Sequence, residues 1–255
     1  MLEPMLWIQS LHSLNPIFLE IFLVFFAYST IVVTYRVWSL PGLYAYMPLA
    51  IAIANIQVLK AAEFAFLPDP VALGTVLFSS TYLCTDIVTE MHGRKEATKL
   101  VLIGFAMYFF WTTVMIITVG YKPIDPALAP DWAWAAEVQQ PMERIFLPTV
   151  SILAAGMISY LISELLDVII YARIRKSGAG NYLWLRNNLS TYIATFVDNT
   201  IFSVLAWIVF APDPLPLDVL FYTFILGTYL FRIFIATLDT PFLYLAVWSR
   251  SKRAA

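Results

Sequence analysis

Residues 186–199 read RNNLSTYIATFVDN, inside a stretch otherwise as apolar as a membrane span. Asn187, Thr191, Thr195 and Asp198 recur there at helical steps, so a helix lines them along one face with Asn188 and Asn199 beside it. Four other apolar stretches carry similar stripes: Asn55, Gln57, Lys60 and Glu63; Ser79, Tyr82, Asp86 and Glu90; Ser163, Glu164 and Asp167; and Tyr229, Arg232 and Asp239. A carboxylate accepts hydrogen bonds from ring N–H and exocyclic amino groups, and Asn or Gln reads donor and acceptor edges together. Tyr and Phe stack on flat rings. Together these residue types suit a small, planar, polar solute such as a heterocycle, and they equally admit other polar metabolites.

Each stripe also has a plainer reading. Ser, Thr and Asn often serve only as interhelical glue, worth about 0.6 kcal/mol on average, and that reading is put first for Ser79, Thr191 and Thr195. Glu90, beside the basic HGRK turn, is expected to pair with Arg94 one turn on. Arg186 and Asn187 are expected near a membrane boundary, where Arg can snorkel to water. Asp86, Asp167, Asp198, Arg232 and Asp239 resist such dismissal. A charge near the bilayer centre costs about 2.5–3.5 kcal/mol on insertion scales, so it needs a cavity or a partner.

Other chemistries find little support. His12 lies in the N-terminal flank and His92 in a basic turn, with no HExxH and no Cys cluster, so no metal and no cofactor is expected. GxGD, GxSxG, P-loop and GxGxxG patterns are all absent. A membrane-embedded hydrolase would have only a carboxylate pair to work with. Beyond topogenic charge there is no basic patch, hence no nucleic-acid partner. Cys84 stands alone, so no internal disulfide forms.

Composition sets where these residues must sit. Hydrophobic residues make up 61% of the 255 and charged residues 13%, with mean hydropathy +0.78; soluble domains carry about 25% charged residues. The expected fold is all-α, a polytopic membrane helix bundle of about seven transmembrane helices, because backbone polar groups in lipid must be satisfied within each span. The apolar stretches run 16–37, 43–66, 71–91, 97–119, 145–171, 187–210 and 218–248, the last long enough to break near Thr240-Pro241. Eleven of the fifteen Lys and Arg cluster at Arg36; Arg94, Lys95 and Lys99; Arg173, Arg175, Lys176 and Arg186; and Arg250, Lys252 and Arg253. With seven spans all of these share one side, which the positive-inside rule makes the cytoplasm, leaving the N-terminus outside. The loops opposite, at 67–70, 121–143 and 211–218, are acidic and proline-rich. Trp132 and Trp134 in the long loop suit an interfacial belt better than a lid. The N-terminus lacks a basic signal-peptide region and reads as mature sequence.

The segments YLCTDIVTEMHGRKEATKLVLIGF (82–105), SYLISELLDVIIYARIR (159–175), LWLRNNLSTYIATFVDNTIF (183–202) and TYLFRIFIATLDTPFLYL (228–245) resemble, in order, the signatures of the queuosine precursor transporter family, also described as vitamin uptake transporters. The resemblance covers roughly 43–248. It implies a six-helix core (43–248) similar to the substrate-binding subunits of energy-coupling-factor transporters, preceded by an additional N-terminal helix (1–42), in one integral membrane domain. It implies import, into the cytoplasm across the inner membrane, of 7-cyano-7-deazaguanine, its aminomethyl relative or queuine. Asp86, Glu90, Asp167, the run Arg186, Asn187, Asn188, Ser190 and Thr191, then Asp198, and Asp239 with Thr240 and Pro241 match family positions. Glu164 stands where the family usually has Gln and Arg232 where it usually has Lys, and the two changes could pair with each other.

The resulting expectation is a non-enzymatic transporter whose substrate site draws on Asp86, Asp167, Asn187, Asn188, Asp198, Glu164, Arg232, Asp239, Tyr82 and Asn55, with Lys60 behind them. Its partners are a deazapurine base and the lipid bilayer, with a homo-oligomer or a separate energising module as further candidates. For such a module, Ala50 and Ala54 offer a small-residue docking patch. The alternatives are a capture subunit for another vitamin or purine-like solute, working with a separate ATPase, or the carboxylate-pair hydrolase.

Overall fold

The computed structural model describes residues 3–65, 70–146, 149–177 and 182–251. In chain order they form α1 (Glu3–His12), α2 (Pro16–Trp38), α3 (Leu40–Gln57), a hairpin of β1 (Ala61–Ala62) and β2 (Val71–Ala72), α4 (Thr75–His92) and α5 (Arg94–Gly120). Then come α6 (Ala133–Phe146), α7 (Thr149–Lys176), α8 (Leu183–Val204), α9 (Leu217–Val219), α10 (Thr228–Thr237) and α11 (Thr240–Ser251). A wide π-type turn, Leu205–Val209, extends α8, and another, Leu220–Gly227, joins α9 to α10.

This is an all-α polytopic membrane bundle. Among the described residues five helical segments are long and apolar enough to cross a bilayer: Pro16–Trp38, Arg94–Gly120, Ile152–Lys176, Leu183–Val209 and Leu217–Ser249. The other two expected crossings fall on α3 and α4, each of 18 residues, about 27 Å at 1.5 Å per residue. α4 is polar for a physical reason. From Thr75 to Thr89 every residue but Phe78 is buried, so α2, α3, α5, α7, α10 and α11 surround it instead of lipid. Its Ser, Thr and Asp side chains therefore meet protein partners.

Several expectations need correction. The second apolar stretch does not stay helical to 66: α3 ends at Gln57 and the chain turns into the hairpin, where the Lys60 carbonyl accepts from the Leu73 N–H at 2.7 Å. Lys60 and Glu63 are exposed, so Lys60 does not stand behind a buried site. The 121–143 segment is not all loop, for α6 packs along α5 and α7, and Gln139 donates to the Val119 carbonyl at 3.1 Å. Ala50 and Ala54 are buried within the chain, so they offer no docking patch. The last stretch does break where expected, with Pro241 in the first turn of α11, where its missing N–H costs nothing. Asp69, Lys252 and Arg253 lie outside the described residues.

The helix that precedes the expected core is packed into it. Asn15 caps α2 by accepting from the Ile17 N–H at 3.1 Å, with Pro16 at the first helical position. Tyr28, fully buried, donates across the bundle to the Ile235 carbonyl at 3.2 Å. α2 and α3 meet at Ser39 (φ 57°), and the crossing is so close that a Cβ on Gly42 would lie 2.6 Å from the Thr34 carbonyl oxygen. Gly42→Ala should therefore lower the unfolding midpoint in detergent by an amount equivalent to about 1–3 kcal/mol, the usual range for overpacking. Gly120→Ala, whose Cβ meets nothing within 4 Å, should leave the midpoint in place.

Candidate functional site

The polar stripes converge inside the bundle, but in layers. The clustered Arg and Lys of α7 and α8 mark one end; Gly156, Ser159, Asp198 and Phe202 lie in the opposite halves of the same helices. In that opposite half is a cavity of about 360 Å³, within the range for small-molecule sites. Phe78, Phe202, Trp207 and Phe224 give it aromatic walls, and Ser159, Asp198, Asn199, Thr228 and Arg232 supply its polar atoms. Neither α6 nor Trp132 and Trp134 contribute to that lining.

At the polar end, Arg232 Nη2 lies 2.6 Å from Asp198 Oδ2, while its Nη1 donates to Asn199 Oδ1 at 3.3 Å. One planar guanidinium thus bridges two neighbours on α8, which the single ammonium of Lys would serve less directionally. Ser163 donates to the other Asp198 oxygen at 3.2 Å, and Tyr82 is buried on α4. Asn199 Nδ2 donates to the Ile225 carbonyl at 2.7 Å and the Phe224 carbonyl at 3.2 Å. Those carbonyls belong to the π-type turn, whose altered register leaves backbone acceptors to be satisfied from outside. Such turns gather at functional sites, and here two of them bring Trp207 and Phe224 to the cavity wall.

Deeper in the bundle, Glu164 accepts from Thr81 and from Thr85 at 3.1 Å. It does not pair with Arg232, whose fork is already occupied by Asp198 and Asn199. Asn55 is also buried, its amide donating to the Ile51 carbonyl at 2.8 Å, and a Cβ on Gly156 would come within 3.0 Å of its oxygen. It fills the α3–α7 contact beside the cavity.

The next layer holds Asp86, Asp167, Asn187, Asn188 and Asp239, none of which lines the cavity. Thr191 Oγ1 sits between Asp86 Oδ2 at 3.5 Å and Asp167 Oδ1 at 3.4 Å. Asn187 donates to Asp239 at 2.6 Å and Asn188 to Thr240 at 2.9 Å. The break between α10 and α11 thus serves to seat Asp239 against α8. Among the described residues no group of three or more His, Cys, Asp or Glu is arranged to hold a metal ion.

At the basic end, Glu90 does not pair with Arg94, and Arg186 does not snorkel. Arg186 donates to both Glu90 oxygens, at 2.9 Å and 2.8 Å, with side chains only 8% and 13% exposed. Tyr171 donates to Glu90 at 3.0 Å, and Arg175 reaches the Thr89 carbonyl at 2.8 Å. The reason is tertiary: α7 and α8 bring their cations nearer to Glu90 than its own next turn does. Tyr229 also leaves its expected stripe, donating to the Tyr192 carbonyl at 3.1 Å.

Of the expected site residues, then, Asp198 and Arg232 face the cavity. Tyr82, Glu164 and Asn55 stand behind it, and Asp86, Asp167, Asn187, Asn188 and Asp239 form the separate inner layer. Reading by stripes missed the aromatic walls and the two threonines on Glu164. Thr81 and Thr85 are one helical turn apart, as are Asp198 and Phe202, so spacing could have found them. Trp207 and Phe224 follow a changed helical register and could not have been placed that way.

A helix bundle of this kind, with paired charges around a solute-sized cavity, has the anatomy of a membrane transporter. Residues 72–246 match the family described as "Putative vitamin uptake transporter", and the chain belongs to that family. The protein is 29% identical over 231 residues to the "Probable queuosine precursor transporter" of Bacillus subtilis (strain 168), covering 88% of this chain and 93% of the relative. No solved structure matches. The family and the relative are transporters, and the protein is a membrane transporter, not an enzyme.

Removing one member of a buried ion pair strands the other, at a cost of roughly 3 kcal/mol or more. Glu90→Gln and Arg186→Gln should each lower the unfolding free energy by about that much. The double substitution should lose less than the sum, because neither charge is then left alone. Denaturant titration of the three variants measures the coupling.

Proposed function

We propose that the protein imports queuosine precursors, that is 7-cyano-7-deazaguanine, 7-aminomethyl-7-deazaguanine or queuine, across the inner membrane into the cytoplasm. The observation that carries the reading is the Asp198–Arg232–Asn199 group at the polar end of an aromatic-walled cavity. A deazaguanine presents a ring N–H and an amino group side by side, which a carboxylate accepts together, and a neighbouring carbonyl, which a guanidinium or amide donates to. Phe78, Phe202, Trp207 and Phe224 suit its flat faces. The name of the Bacillus subtilis relative agrees with this chemistry.

In this reading the six spans after α2, namely α3, α4, α5, α7, α8 and the α9–α11 segment, form the transport core, and the N-terminus lies outside. The basic ends of α2, α4, α5, α7 and α8 then face the cytoplasm. The cavity sits in the outer half and the Glu90–Arg186 pair closes the inner end, so this conformation would receive solute from outside. The inner layer of Asp86, Asp167, Asn187, Asn188 and Asp239 would meet the solute further along its path.

Thermal unfolding of the purified protein with 7-cyano-7-deazaguanine, guanine, adenine and unrelated vitamins tests the assignment. At a hundredfold excess over its Kd, a bound ligand stabilises by about 2.7 kcal/mol. Only the deazaguanine should reach that level. Asp198→Asn should weaken binding by tenfold or more, since hydrogen bonds to a charged group contribute about 1.5–3 kcal/mol. A clear response to another vitamin with none to the deazaguanine would overturn the substrate.

A further inference from the structure

The inner layer has a surplus of acceptors. Asp86, Asp167 and Asp239 are each fully buried, and no ion pair among the described residues joins any of them to a cation. Arg186 is held by Glu90 and Arg232 by Asp198. Asp86 Oδ1, Asp167 Oδ2, Asp239 Oδ2 and the side-chain oxygens of Asn187 and Asn188 have no hydrogen-bond partner; both asparagines are at least nine-tenths buried. Each of these buried atoms needs a donor.

Asp86 and Asp167 meet at one hydroxyl, for Thr191 Oγ1 lies 3.5 Å from Asp86 Oδ2 and 3.4 Å from Asp167 Oδ1. Two carboxylates buried this close with no cation beside them repel and cannot both stay ionised, so one of them holds a proton. The groups facing the pair are Asp239 from the α10–α11 break, Glu164 and Tyr171 from α7, and Thr191 and Ser190 from α8. Of these the ionisable ones are all acids, and none supplies a positive charge. Thr191 has one hydroxyl hydrogen for two carboxyls at nearly equal distance, so it serves whichever of them is left ionised.

We propose that the Asp86–Asp167 pair is a proton-binding site, and that its proton is exchanged with water on one side and then the other as solute crosses. The exchange breaks one carboxyl O–H bond, leaves a carboxylate, and is reversed by uptake of a proton. α8 links the two sites, carrying Thr191 against the pair and Asp198 at the cavity, two turns away on one face. The coupling to transport rests on the import reading; the proton site does not.

Infrared spectroscopy of the purified protein without solute tests the site directly. The wild type should show a protonated-carboxyl C=O band at neutral pH that moves in D2O. Asp86→Asn and Asp167→Asn should each remove or shift it, while Asp198→Asn leaves it in place. Absence of the band in the wild type, or its indifference to both inner substitutions, would overturn the proposal. In proteoliposomes, uptake of 7-cyano-7-deazaguanine should follow an imposed pH gradient, and Asp86→Asn should lose that gradient response. Uptake that follows a sodium gradient and ignores pH would overturn the coupling. If the band behaves as expected but no deazaguanine enters, the substrate reading fails and the proton site stands.

Discussion

A charge inside a bilayer has no water to turn to, so every ionised group in the bundle must find its partner on another helix. The rest of the molecule follows from that constraint. Arg232 holds Asp198 and Asn199, Arg186 holds Glu90, and threonines hold Glu164. Each of these contacts ties two helices at a definite depth and rotation. Non-polar packing alone specifies rotation weakly, because lipid tails are as apolar as leucine and give helices no hydrophobic reason to associate.

The arrangement explains why α4 sits at the centre. It supplies Thr81, Thr85, Asp86 and Glu90, and its partners come from α7 and α8. A helix with that many polar side chains is stable only where protein surrounds it, and its neighbours in turn present their apolar outer faces to lipid. α8 plays the complementary part. Its polar residues run from Arg186 at the basic end through Asn187 and Thr191 to Asp198, reaching every polar layer. Movement or rotation of α8 would therefore be felt in all of them together.

The cavity depends on irregular backbone. An unbroken helix keeps its carbonyls bonded to itself and its side chains in a fixed register. The π-type turns after Val204 and before Thr228 relax both, and Asn199 satisfies carbonyls that the second leaves open. Irregular backbone at membrane depth is tolerated where it is buried in protein or lines a cavity. The break at Leu238–Asp239 is a second instance, exchanging a helical turn for a carboxyl lodged against Asn187.

Much of this was legible from residue types. Composition alone demands a helical membrane bundle, the resemblance at 82–105, 159–175, 183–202 and 228–245 points to the transporter family, and helical spacing marks Asp86, Asp167, Asn187, Asp198 and Arg232 as inward-facing. Each of those is a local property: hydropathy, period and order along one chain. Partnership is not local. Glu90 has Arg94 one turn away in sequence yet bonds Arg186, and Arg232 meets Asp198 where a pairing with Glu164 was open. Lys60 falls within an apolar run but lies beyond the end of α3. Only the packing of helices decided which charges neutralise one another, which carboxyls are left without a cation, and where an empty space of solute size remains. The physical reason is that a Coulomb or hydrogen-bond contact depends on distances between side chains of different helices, and no stripe on a single helix contains that distance.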